Sequence, residues 1–215
     1  AGGRGGDDGM TGHEGEILTF GGVWLDPFAP RPEQIRLEDI AHALSLVCRA
    51  GGHLHHFYSV AQHLLCCETE AAARGHSLRV RLACLLHDAS ECYIADVTRP
   101  VKGRLSGYER AEAALEAAVA QALGPGELTG EEKEQVAAVD DALLYHEFWR
   151  LRGVKMFEEA PPLLGGHDFS LREPAAVEAQ LIERYRALKK EMEEGDGGDG
   201  SGQNKRHAPA RAAEN

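Results

Sequence analysis

Two histidines and two aspartates in this 215-residue chain sit inside apolar helical patterns. His87-Asp88 closes the run Leu82-Ala83-Cys84-Leu85-Leu86, and Glu91 follows one helical turn after His87. His63 lies among Val60, Leu64 and Cys67, and Asp140 lies within Val136-Ala137-Ala138-Val139 and Ala142-Leu143-Leu144. Burying an unpaired imidazole or carboxylate is costly. One divalent cation satisfies all four. Two His and two Asp form a mixed N/O set that suits Mn, Fe, Co, Ni or Zn better than Ca. The expectation is one divalent transition metal ion bound by His63, His87, Asp88 and Asp140.

The elements that must position these groups read as helices. Leu37, Ile40, Leu44 and Val47 share one face over residues 37–50, with Gly51-Gly52 as a stop. Ser59 with Gln62 has the spacing of a capping box and opens a helix to about residue 73. Ser77 caps the next helix, which is expected to run on through His87 to Glu91. On one continuous helix, positions i and i+4 nearly superpose, so Glu91 would share the face of His87. Residues 94–104 read as loop, because Pro100 disfavours helix at Arg99. Ala-rich residues 107–123 form a helix that stops at Gly124-Pro125-Gly126. Thr129 with Glu132 starts another, to about 151. Pro174 stands near the first turn of a last amphipathic helix, to about 193. No alternating run is long enough for a strand. The fold class is all-α, a bundle of five to seven helices in a single domain over residues 17–194. Residues 1–16 and 195–215, rich in Gly and polar residues, are expected to be disordered tails.

The bulk numbers narrow the function. A net charge of -12 argues against coating a nucleic-acid polymer, which needs Lys and Arg to neutralise phosphates. A small anionic substrate needs only local cations, and Arg99, Lys102 and Arg104 form a stretch without an acid. The five cysteines (48, 66, 67, 84, 92) include no CxxC pair and read as buried thiols of a reducing compartment. No apolar run approaches the roughly 20 residues of a membrane helix, and no charged-then-apolar segment opens the chain. A cytoplasmic protein without membrane contact is expected, and a homo-oligomer is compatible. His53, His55 and His56 precede the Ser59 cap as a loop cluster suited to substrate contact. Trp24 and Trp149 read as packing residues.

At His63, His87-Asp88 and Asp140 the chain resembles the HD-domain metal-dependent phosphohydrolases, whose pattern is H…HD…D on an all-α fold. The match extends to Ser59-Val60-Ala61-Gln62-His63, and to His87-Asp88-Ala89-Ser90-Glu91 followed by Asp96 and Arg99-Pro100-Val101-Lys102. These look like the bacterial 5'-deoxyribonucleotidase branch, with the similarity covering about residues 19–150. The resemblance implies catalytic roles for Glu91 and Asp96. It implies substrate binding by Arg49 and Lys102, to which the loop adds His55. It also favours Asp140 over Asp141 as the ligand. Ala50 follows Arg49 where that branch carries Trp, which implies looser sugar discrimination. The implied activity is metal-dependent hydrolysis of a nucleoside 5'-monophosphate. Release of triphosphate from a dNTP is the alternative on the same fold. A nucleotide-binding regulatory module without turnover is the alternative in another class.

Overall fold

A computed structural model of the chain describes residues 12–196. It is all-α, with six helices of nine residues or more and two single-turn helices among the described residues. The order is α1 (Leu37–Leu46), α2 (Val60–Ala73), α3 (Leu78–Leu86), α4 (Glu91–Ile94), α5 (Arg99–Lys102), α6 (Tyr108–Ala122), α7 (Gly130–Arg152) and α8 (Pro174–Asp196). A two-stranded hairpin, β1 (Ile17–Leu18) against β2 (Trp24–Leu25), precedes them. Of the expected tails, residues 1–11 and 197–215 lie outside the described residues. At their inner edges His13 stacks on Trp24 with ring centroids 4.1 Å apart, and α8 runs on to Asp196.

The caps act where the sequence places them. Ser59 accepts a hydrogen bond from the Gln62 amide, and Thr129 one from that of Glu132. Helix α2 is the hub. It packs on α1, α3, α7 and α8, so most of its residues are buried, His63 included. The main core joins Leu25, Ile40, Leu44, Leu64, Leu82, Leu85 and Leu181. Cutting any of these fully buried leucines to alanine would cost about 2–5 kcal/mol. A second, thiol-rich layer of Cys66, Cys67, Cys84, Val139 and Leu143 sits between α2, α3 and α7. All five cysteines are free, as expected of reduced thiols.

Three expectations need correction. Helix α1 stops at Leu46, not Ala50. Val47 turns extended, Cys48 bridges to Ser59, and Arg49–Gly52 forms a separate 3-10 turn. The stretch 94–104 is not all loop, because Pro100 falls within the first two positions of α5, where a missing N–H leaves no bond unmade. Helix α3 ends at Leu86 and does not carry Glu91. The Ala89, Glu91, Cys92 and Tyr93 amides bond three residues back, to Leu86, Asp88, Ala89 and Ser90. At three residues per turn, position 91 lies about 120° round from position 87 instead of about 40°.

Candidate metal centre

His63 projects from α2, His87 and Asp88 from the turn after α3, and Asp140 from mid-α7. Their donor atoms converge. His63 Nε2 lies 3.3 Å from His87 Nε2, 3.2 Å from Asp140 Oδ1 and 3.7 Å from Asp88 Oδ2. His87 Nε2 lies 3.4 Å from Asp88 Oδ2 and 3.7 Å from Asp140 Oδ1. Metal–ligand bonds of about 2.0–2.1 Å imply donor–donor separations of roughly 3.0–3.4 Å, so the set is close to one coordination sphere.

The far sides of both rings fix their orientation. His63 Nδ1 contacts Glu147 Oε1 at 2.7 Å, and His87 Nδ1 contacts the Cys84 carbonyl at 2.9 Å. A carboxylate and a carbonyl only accept, so both Nδ1 atoms carry hydrogen and both Nε2 atoms face inward. Two Nε2 atoms 3.3 Å apart beside two carboxylates call for positive charge among them, as bound protons or as a cation. The protonation equilibria point the same way. Burial opposes charge on His87, yet Asp88 and Asp140 push it up to about 9. Burial also disfavours the Asp140 carboxylate, but hydrogen bonds from His63 and His87 hold it well below the usual range. The residues present fit a divalent cation.

Cys67, one turn after His63 on α2, also belongs to this neighbourhood. Its Sγ lies 3.4 Å from His63 Nε2, and the cluster His63, Cys67, His87 and Asp140 can hold a metal ion. Sequence reading treated Cys67 only as an apolar neighbour, although its i, i+4 spacing from His63 marks the contact. Burial pushes its thiol well above the usual range, a bias that a coordinated cation reverses. Glu147, seven residues after Asp140 on α7, is turned towards the same centre.

No family model matches the chain. It is 36% identical over 181 residues to an uncharacterized protein of Rhodobacter capsulatus, spanning 76% of this chain and 90% of that one. The chain belongs to that protein's family. The uncharacterized protein YfdR of Escherichia coli strain K12 is 36% identical over 108 residues, 50% of this chain and 58% of its own.

Arg49 ties the centre together. Its guanidinium donates to Asp88 Oδ2 at 3.1 Å, Asp140 Oδ1 at 3.4 Å and Glu147 Oε2 at 3.1 Å. Beside it lies a cavity of about 330 Å³ that Arg49, Asp88, Glu91, Asp96, Lys102 and Asp140 line together with Arg99. Lys102 Nζ bonds Glu112 Oε1 at 2.6 Å and stands 3.7 Å from Glu91 Oε1. Glu91 is buried and its Oε2 has no partner. Burial, with Asp88 and Asp96, pushes its carboxyl up to about 8 against the pull of Arg49 and Lys102. Asp96 Oδ2 accepts from the Ala50 amide at 2.6 Å. Ala50 and Ala95, at φ 56 and 64, are the two non-glycine residues with positive φ among the described residues, and both flank that bond.

His55 does not reach this cavity. It is exposed, and its backbone amide bonds the Leu151 carbonyl. His56 is spent on the Phe169 carbonyl. Arg104 is also absent from the lining, leaving Arg49, Arg99 and Lys102 as the cations there. Asp141 is half exposed and lies 3.6 Å from Arg99 rather than in the donor set. Trp149 is exposed under Lys155 instead of packed. No helix among the described residues is long and apolar enough to cross a membrane.

Proposed function

We propose that the protein is a metal-dependent phosphohydrolase acting on a nucleoside 5'-monophosphate. The observation that carries this reading is the convergence of two imidazole Nε2 atoms and two carboxylates beside a cavity lined by three cations. His63, His87, Asp88 and Asp140 would hold one divalent transition metal. Such an ion supplies an activated water near neutral pH and offsets charge on a phosphoryl group. Arg99 and Lys102, with Arg49, are placed to bind the phosphate oxygens. Their fixed charge also counters the long-range repulsion of an acidic protein for an anion. Glu91, buried with one oxygen unpartnered, is placed to hand a proton to the leaving oxygen. Asp96 is tied to the Ala50 amide, so it holds the Arg49 turn against the α4–α5 connection and orients rather than reacts.

The test is a screen of nucleotides in Mn, Co, Ni and Zn with product identification. Inorganic phosphate from monophosphates is the expected product. Triphosphate from dNTPs would move the reading to the other bond, and uncleaved nucleotide retained with metal would move it to a binding module. Glu91→Gln is expected to keep the metal and lose at least a hundredfold in rate.

A further inference from the structure

The cavity beside the metal centre is lined by two chemically different sets of residues. One set is charged. The other is apolar, formed by Leu144, Phe148, Met156 and Phe157. Asp140, Leu144 and Phe148 recur every four residues on α7, so one helical stripe leads from the ligand to the apolar wall. Helix α7 then closes at Gly153, φ 71, where the Gly153 and Val154 amides bond back to Trp149 and Phe148. That reversal carries Met156 and Phe157 back over the cavity. Phe157 lies at 18° to the Tyr145 ring, centroids 6.1 Å apart. Tyr145 is buried and supports the inner face of Phe157. Met156 and Phe157 are still 41% and 37% exposed. A supported aromatic face left open at the mouth of a charged cavity is a poor arrangement for a folded core and a good one for a flat apolar ligand.

We infer that Phe157, with Phe148 and Met156, is the surface on which the ring of the substrate stacks, so that the protein selects phosphomonoesters carrying a nucleobase over simple sugar phosphates. This rests on the phosphohydrolase reading and adds its specificity. The anionic head meets Arg49, Arg99 and Lys102 while the ring lies against the α7 stripe. A rival location exists. A larger cavity of about 770 Å³ is lined by His87 itself with Leu86, Ala117, Ala120 and the 124–128 turn. It has a lysine, Lys133, but no arginine, and so offers less to a phosphate.

The experiment is calorimetry on manganese-loaded full-length protein. The probes are inorganic phosphate and the non-hydrolysable phosphonate analogues of adenosine 5'-monophosphate and ribose 5-phosphate. The last two differ by the ring alone. The adenosine analogue is expected to bind about tenfold more tightly than the ribose analogue, the scale of one good aromatic contact. Phe157→Ala should bring the two within about threefold while leaving phosphate affinity and metal content unchanged. Phe157→Leu, which keeps bulk and loses the ring, should fall between. Ala117→Phe, which fills the larger cavity, should change none of these. An intact ring preference in Phe157→Ala, or its loss in Ala117→Phe, overturns the inference. Failure of all three probes to bind overturns the phosphohydrolase reading itself.

Discussion

Helix α2 places buried charge in two neighbouring regions, and they are built to opposite rules. One turn beyond His63, the fully buried Glu68 accepts from Arg81 at 2.7 Å and from Arg184 at 2.7 Å. Glu70, also fully buried, accepts from Arg74, His167 and the Leu164 and Gly165 amides. Every acid there meets donors enough to offset its burial. Around His63 the balance fails. Asp88, Asp140 and Glu147 share Arg49, and the two imidazoles answer those carboxylates at Nε2 only when they bind protons there. The first region closes α2 onto α3, α8 and the 153–173 loop. The second holds acceptors in excess and asks for a cation. A buried polar cluster is therefore diagnosed by its donor count, not by its residue types.

The largest effects should separate the two regions completely. Asp140→Ala is expected to lower metal content from one per chain to below about a tenth while the fold persists. Glu68→Gln should keep the metal and lose about 3 kcal/mol of stability, because two arginines lose their buried partner. Elemental analysis beside urea denaturation reads both, and metal loss in Glu68→Gln would merge the regions. Next, chelation should lower the melting temperature by roughly 10 °C, the scale for about 4 kcal/mol of metal binding in a domain of this size. The same chelator should leave the melting temperature of Asp140→Ala unmoved.

The acid limb tests the balanced region alone. Burial acts to raise the Glu70 carboxyl, but the Gly165 amide, Arg74, His167 and the Leu164 amide together lower it from 4.5 to about 2. Its contribution to stability is complete above pH 4.5 and is lost as pH falls through about 2. Proteolysis within residues 153–173 is expected to rise across that window, and Glu70→Gln should flatten the dependence. The smallest effect is assigned to Asp141→Asn. Half exposed and paired only with exposed Arg99, it should keep full metal content and change stability by less than about 0.5 kcal/mol. Loss of metal there would move the ligand by one residue.

Much of the fold was legible because its signals are local. The Ser59 and Thr129 caps and the Gly124-Pro125-Gly126 stop act within one turn of chain. Of the four expected ligands, His63, His87 and Asp140 fall in one group able to hold a metal ion, with Cys67 as its fourth member, and Asp88 reaches its edge from the turn after α3. The break after Leu86 was not legible. Its three-residue turns use Ala89 and Ser90, which suit a continuing helix equally well. The early end of α1 arises from Cys48 pairing with Ser59 across eleven positions of chain, a tertiary event with no local mark. His55 was misplaced for the same reason, its position being set by the Leu151 carbonyl. The three-way fork of Arg49 joins residues 39 to 98 positions away, beyond any periodicity.

The left-handed backbones of Ala50 and Ala95 carry a further consequence. At Ala50 the left-handed helical backbone costs a methyl-bearing residue about 1–2 kcal/mol, Ala95 at φ 64, ψ 161 lies where glycine is usual, and glycine would relieve both. The protein keeps both side chains where the Ala50 amide grips Asp96. Two hinges that glycine would have loosened are thereby stiffened. The shape of the cleft wall is set during folding, and a molecule bound there would have less disorder to suppress.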